Sequence, residues 1–275
     1  MARTDSLTLS LPPFAGATRR LVLINLAAFF GMLLLGWVSS SIAGLVGGHL
    51  ILEPYAVAHG ELWQLVTYAF MPVGILSMLF GMLSLWFIGS LLEGSYGGRW
   101  LYELYFTSAI GGAVIASALV LTHLIGMNSK VAAVGPYAGI FGLLVAIAMN
   151  FGDLEFRLYF ILPIKAKYMV AIYLLISVAI LLKDKQAFTA LLQLSGALCG
   201  FLYVKFAPRK GLALGMSERY FGVRNGYYRW KRRRAARKFE VYMGKQGREV
   251  HFDKDGRYVD PDEARKDPND KKWMN

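Results

Sequence analysis

Six long apolar runs, separated by short polar connections, fill the chain up to Val204, after which it turns polar. The runs are Leu21–Gly44, Val73–Leu92, Leu101–Ile125, Val134–Met149, Tyr168–Leu182 and Ala187–Val204. A bilayer core of about 30 Å requires roughly 17 to 25 consecutive apolar residues in one helix. The fourth and fifth runs fall just short, which predicts that neighbours cover them or that the bilayer thins around them. A soluble protein buries one or two helices this apolar; six in succession argue against that class. The pattern predicts an all-α membrane protein: a cytoplasmic segment over residues 1–19, a six-transmembrane-helix bundle over 20–205, and a polar, basic tail over 206–275.

Lysine and arginine placement sets the orientation. With the amino terminus inside, the inner stretches carry Arg3, Arg19, Arg20, Arg99, Arg157, Lys165 and Lys167. The outer loops carry only Lys130, Lys183 and Lys185, and Leu45–Pro72 has no lysine or arginine. The positive-inside rule therefore predicts both termini in the cytoplasm. An even number of spans agrees. The Arg19-Arg20 pair ahead of the first run could open an export signal, but the run's length and the polar residues before it favour a retained anchor.

Composition adds one asymmetry. The 275 residues are 56% hydrophobic and 17% charged, with a formal net charge of +12. From Lys205 onward the chain holds 20 of the 30 Lys+Arg and 10 of the 18 Asp+Glu, so nearly all of the surplus lies in the tail. Its densest cluster is Arg229, Lys231, Arg232, Arg233, Arg234, Arg237 and Lys238, beside Tyr227-Tyr228. Cations just inside a final span are drawn to anionic lipid headgroups by about 1 kcal/mol each near the surface. That accounts for the cluster without nucleic acid, the other partner such a run suggests. Further on, Glu249–Tyr258 alternates apolar and polar residues around Asp253-Lys-Asp-Gly256 and predicts a small hairpin. The Asp-x-Asp-Gly string is too short for a calcium loop. The single cysteine, Cys199, excludes an internal disulfide. No metal or cofactor site is expected.

Candidate chemistry comes from the fourth run, which opens Gly135-Pro-Tyr-Ala-Gly-Ile-Phe-Gly142. This string resembles the Gly-x-Ser-Gly-x-x-Phe-Gly motif of the rhomboid intramembrane serine proteases. Other strings are similar to that family in order along the chain. Gly60-Glu-Leu-Trp63-Gln-Leu-Val-Thr-Tyr-Ala-Phe70 resembles its Trp-Arg-Leu-x-Thr-x-x-Phe stretch, with Gln64 where arginine is usual. Gly89-Ser-Leu-Leu-Glu93 matches a Gly-x-x-x-Glu signature, followed by Gly97-Gly98-Arg99, Tyr105 and Gly111-Gly112. Gln193-Leu-Ser-Gly196-Ala-Leu-Cys-Gly200 resembles His-x-x-Gly-x-x-x-Gly.

The resemblance implies a rhomboid scaffold whose chemical positions have been replaced. Tyr137 stands at the serine and Gln193 at the histidine that takes its proton. Ser77 and Gly81 stand at a His-x-x-x-Asn pair that serves the oxyanion. A primary amide is no base near neutral pH, so both members of a nucleophile–base pair are missing. Losing either costs a serine protease on the order of a millionfold in turnover. No histidine lies in the last three runs to rescue Tyr137. Ser195, two residues from Gln193 and about 200° around the helix, is expected to face away. Small residues nevertheless persist at three- and four-residue intervals, Gly135, Gly139 and Gly142 with Gly196 and Gly200, as close helix packing in membranes requires. Tyr137 is expected to fill the former catalytic cavity. Glu93 and Glu103 are expected near the inner interface, pairing with Arg99, and no carboxylate sits mid-span as a transporter would place it.

Inactive relatives in this superfamily bind membrane segments of client proteins. The resemblance therefore implies a pseudoprotease of a bacterial inner membrane, with transmembrane clients entering beside the second and fifth runs. The residues expected at the client or packing surface are Gly135, Tyr137, Gly139, Gly142, Gly196, Gly200 and Trp63. The alternatives are an active rhomboid endopeptidase with unconventional residues and a structural subunit of a larger membrane complex.

Overall fold

The computed structural model describes residues 12–71, 74–123, 126–158, 162–184, 187–207, 212–247, 250–254 and 257–259. The first residues of the amino-terminal segment, the turn of the expected tail hairpin at Asp255-Gly256 and the tail beyond Val259 lie outside them. The chain divides into two compact units, Met1–Gly211 and Leu212–Asn275.

The first unit is helical. Five helices are long and apolar enough to cross a membrane: α1 (Gly16–Val38), α5 (Ile75–Tyr96), α6 (Gly98–Leu121), α8 (Ala166–Lys183) and α9 (Phe188–Phe206). Between α1 and α5 run three shorter helices, α2 (Ser40–Leu50), α3 (Pro54–Ala58) and α4 (Gln64–Thr67). A shorter apolar helix, α7 (Tyr137–Asn150), follows α6. At about 1.5 Å per residue α7 rises only about 21 Å, less than the bilayer core. It is short because it is enclosed: every residue from Ala138 to Ile147 is buried. By contrast α8 buries only Ala166, Val170 and Ser177.

Four features depart from the sequence reading. The first apolar run does not continue as one helix to Gly44. It breaks at Ser39, whose backbone is extended and whose Oγ accepts from the Ile42 N–H that opens α2 (3.4 Å). The apolar run is interrupted there by Ser39-Ser40-Ser41, and serine favours the cap position, so the break has a local signal in the sequence. Second, α7 and α8 are joined by an antiparallel hairpin, β1 (Glu155–Leu158) with β2 (Leu162–Lys165). Third, the tail holds a 34-residue helix, α10 (Leu212–Lys245), before its small hairpin of β3 (His251–Phe252) and β4 (Tyr258–Val259).

The fourth concerns Glu93. Its carboxylate accepts from the Ala17 N–H (2.6 Å), the Thr18 N–H (2.9 Å) and the Thr18 hydroxyl (2.7 Å). The first N–H groups of a helix lack internal partners, so a side chain from α5 caps α1. Gly89, one turn earlier, leaves room for Thr18: a Cβ there would lie 3.0 Å from its side chain. Arg99 pairs instead with Glu103 one turn along α6 (3.3 Å). Gly97 ends α5 and begins α6 at φ +86°, a turn that favours glycine.

Candidate functional site

The approach to α7 is fixed from outside the bundle. Leu52 and Ala133 exchange two backbone hydrogen bonds (3.0 and 2.9 Å), and Tyr55 N–H donates to Ser129 O (3.0 Å). Gly135 then turns at φ +97°, and its N–H donates to Tyr68 O (2.8 Å). Tyr68 is buried and its hydroxyl donates to Ala109 O on α6 (2.8 Å). Pro136 sits at the cap position and needs no N–H partner there. These contacts leave Tyr137 one orientation at the head of the helix.

Behind Tyr137 the helices approach through missing side chains. A Cβ on Gly196 would overlap the Ala138 backbone, and one on Gly200 would lie 2.5 Å from Gly142 Cα. Gly112 of α6 meets Gly196 in the same way, at 2.8 Å. Gly142 also faces Ser108, and Gly139 faces the Tyr105 ring at 2.5 Å. Thus α9 meets α6 and α7 backbone to backbone, while the glycines of α7 receive the Ser108 and Tyr105 side chains of α6. Gly135 differs from the other glycines in this group, because its role is the turn.

In front of Tyr137 the packing opens. Both α5 and α8 lie against α7, and a cavity of about 510 Å³ separates them. Its walls include Ser77, Gly81 and Phe87 of α5, Tyr137 and Phe141 of α7, and Tyr173 of α8. Phe80, Leu83, Phe87 and Tyr173 line it and are also exposed, so it opens sideways. Tyr137 donates a long hydrogen bond to Ser77 O (3.4 Å), closing the wall between α5 and α7. Gly81 lies where a Cβ would touch Pro136 and Ile140 at 3.8 and 3.9 Å.

Three of the four positions singled out in the sequence, Tyr137, Ser77 and Gly81, therefore share one cavity. Gln193 does not line it. Its Oε1 accepts from the Ser177 hydroxyl (2.9 Å), tying α9 to α8. Ser195 is buried and also lies off the cavity wall. The chain's histidines are His49, His59, His123 and His251, and none lines the cavity. Among the described residues no group of three His, Cys, Asp or Glu could hold a metal. The cavity offers hydroxyls, aromatic rings and alkyl surface, which suits apolar binding.

Trp63 lies elsewhere, half exposed, with its indole N–H on His49 O (2.8 Å). The buried Gln64 beside it bridges the Glu53 N–H (2.9 Å) and the Glu61 carboxylate (2.7 Å), holding that loop together. Sequence reasoning missed Ser177, Phe80, Phe87 and Tyr173. The spacing of Ser77, Gly81, Ser84 and Phe87 at three- and four-residue steps could have marked one helix face. The cluster from Arg229 to Lys238 lies on α10, in the second unit.

A protein-family model described as the Rhomboid domain matches residues 59–210, more than half of the chain. No curated protein matches the chain.

Proposed function

The chain belongs to the rhomboid family and is an integral, multi-pass membrane protein; from that premise we propose that it is a pseudoprotease that holds transmembrane segments of client proteins without cutting them. In this reading α7 is the fourth of six membrane helices in a bundle with both termini in the cytoplasm, in a bacterial inner membrane. The basic tail faces anionic headgroups on the same side.

One observation supports the reading. The cavity that opens between α5 and α8 is lined by Tyr137, which the motif resemblance aligns with the family's nucleophile, and Gln193, aligned with its base, bonds Ser177 and does not line the cavity. An amide in that position cannot accept a proton from Tyr137, and no imidazole lines the cavity to replace it. An apolar, laterally open pocket between helices suits a client helix arriving through the lipid, and packing contacts rather than hydrophobic transfer then hold it.

A photo-crosslinker placed at Tyr137, and separately at Phe87, tests this in native membranes. The expected adducts join apolar membrane segments of other proteins, and a crosslinker at the exposed Leu198 of α9 gives none of them. A fluorophosphonate probe leaves the protein unlabelled. Covalent labelling that disappears on Ser77→Ala or Ser195→Ala would revive the active protease. Adducts equally strong from Leu198 would remove the cavity from the account.

A further inference from the structure

In the second unit a hairpin covers one face of α10 and leaves a basic stripe on the opposite face. The hairpin β3–β4 packs on one face of α10, where Phe252 meets Phe239 edge-on at 6.2 Å and Tyr258 meets Phe252 at 6.2 Å. Ala236, beneath the hairpin, is the one residue of α10 recorded as buried. Glu240, the only acidic residue between Arg224 and Lys245, faces the same hairpin beside Phe252 and Asp253.

At about 100° per residue, Arg224, Tyr227, Lys231, Arg234, Lys238 and Lys245 fall within about 80° of one another, opposite Ala236. All six are exposed. The stripe is continuous rather than merely periodic: Trp230 lies 6.1 Å from the Tyr227 ring, and the Arg234 guanidinium sits 5.6 Å over the Trp230 ring. It runs about 32 Å, from the helical rise over Arg224 to Lys245, with no carboxylate on it.

We propose that this stripe is the docking face of α10 for an anionic bilayer surface, with Tyr227 and Trp230 at headgroup depth and the hairpin turned to water. The proposal rests on the membrane-facing reading of the tail and names the face. Three observations select a bilayer. The face opposite the hairpin carries Arg224, Lys231, Arg234, Lys238 and Lys245 with no carboxylate, a strip that a plane can meet along its whole length, while Arg229, Arg232, Arg233 and Arg237 lie on other faces. Tyrosine and tryptophan favour the membrane–water interface. Only five residues separate Phe206, at the end of α9, from Leu212, about 20 Å of chain at full extension. The hairpin covers part of the apolar side of α10, including Phe239, so docking is peripheral and salt-sensitive and the helix does not insert.

The test uses the full chain in nanodiscs, with Cys199→Ala, a donor dye on Gln246→Cys and an acceptor on the lipid headgroups. Energy transfer is expected with phosphatidylglycerol present, and to fall in phosphatidylcholine alone and at high salt. Lys231→Gln, Arg234→Gln and Lys238→Gln together should lower the docked ratio about a hundredfold, at roughly fivefold per cation near an anionic surface. Arg229→Gln, Arg232→Gln and Arg237→Gln remove the same charge from other faces and should lower it severalfold at most. Equal losses in the two variants, or a signal indifferent to lipid and salt, would overturn the proposal. So would transfer RNA added at equal salt drawing the tail off the disc. Crosslinking from position 137 on the same samples separates the two readings: lost docking with unchanged crosslinks leaves the cavity's role standing, and the converse leaves the stripe's.

Discussion

The two sides of α7 solve different problems with the same kind of residue sequence. Toward α9, glycines remove side chains and backbones meet directly, and toward α6 they admit the Tyr105 and Ser108 side chains. Toward α5 and α8, aromatic side chains stand where the glycines would be, and a cavity remains. Membrane helices gain little from burying apolar surface against one another, since lipid is equally apolar. Close contact must therefore be built from small residues, and its absence leaves a helix free to part from the bundle. The glycine side reads as the fixed frame, and α8, with three buried residues, as the element able to move.

The largest effect should come from closing the gap on the fixed side. Gly196→Val places branched carbons into the Ala138 backbone, and no flexible side chain is there to yield. Overpacking of this kind costs about 3 kcal/mol or more when backbone must shift. A fall in thermal unfolding temperature in micelles, with loss of crosslinks from position 137, is the expected outcome. An unchanged melting temperature would show that α7 and α9 are not held by backbone contact.

On the open side the expected effects are smaller because the contacts are polar and few. Gln193→Ala removes the interhelical acceptor of Ser177, leaving it Tyr173 O within α8, and should cost about 0.6 kcal/mol, the average for an interhelical hydrogen bond in a membrane protein. The comparison sharpens if hydrogen exchange then rises along α8 and not along α6. Exchange rising equally in both helices would mean that Gln193 supports the frame rather than the moving element.

How much of this was legible beforehand follows the same division. Long apolar runs announced the five crossing helices, because lipid demands an uninterrupted apolar length. The glycine spacing announced which faces close, since only missing side chains permit it. The Ser39 break had a local sign in the three serines Ser39–Ser41, but long apolar stretches on either side of them let the run read as continuous. The capping by Glu93 was misread because its partners, Ala17 and Thr18, lie some 75 residues away and are main-chain donors as much as side chains. Helix α10 was read as charge alone. Its polar residues surround it, so no apolar period betrayed a helix, and the stripe appeared only once the hairpin had claimed the opposite face. In the cavity, Tyr137, Ser77 and Gly81 were placed together by motif position, but Gln193 was separated from them by a bond to Ser177 that no motif encodes.

The smallest effect, and the finest cut between the two sides, lies where the hairpin returns the chain to α8. The Ala166 N–H donates to Leu154 O (2.8 Å) and the Lys167 N–H to Gly152 O (3.2 Å), while the Asp153 carboxylate pairs with Lys167 Nζ at 2.9 Å and with Lys165 Nζ at 3.6 Å. The hydrogen bond and charge of Lys167, then the charge of Lys165, hold the Asp153 carboxyl below its ordinary range. A carboxyl lowered in the folded state stabilises it above the unfolded value, about 3.9, and loses that contribution as pH falls through the lowered one. Exposed pairs contribute little and are screened by salt, so global stability should scarcely respond. The first turn of α8 should. Its amide exchange is expected to quicken, relative to α6, as the pH drops below the carboxylate range, and Asp153→Asn should abolish that difference at every pH. If the acid response persists in the Asn variant, the clasp on α8 is made by the backbone bonds alone, and the open side is tied at the first turn of α8 as firmly as the glycine side is along its length.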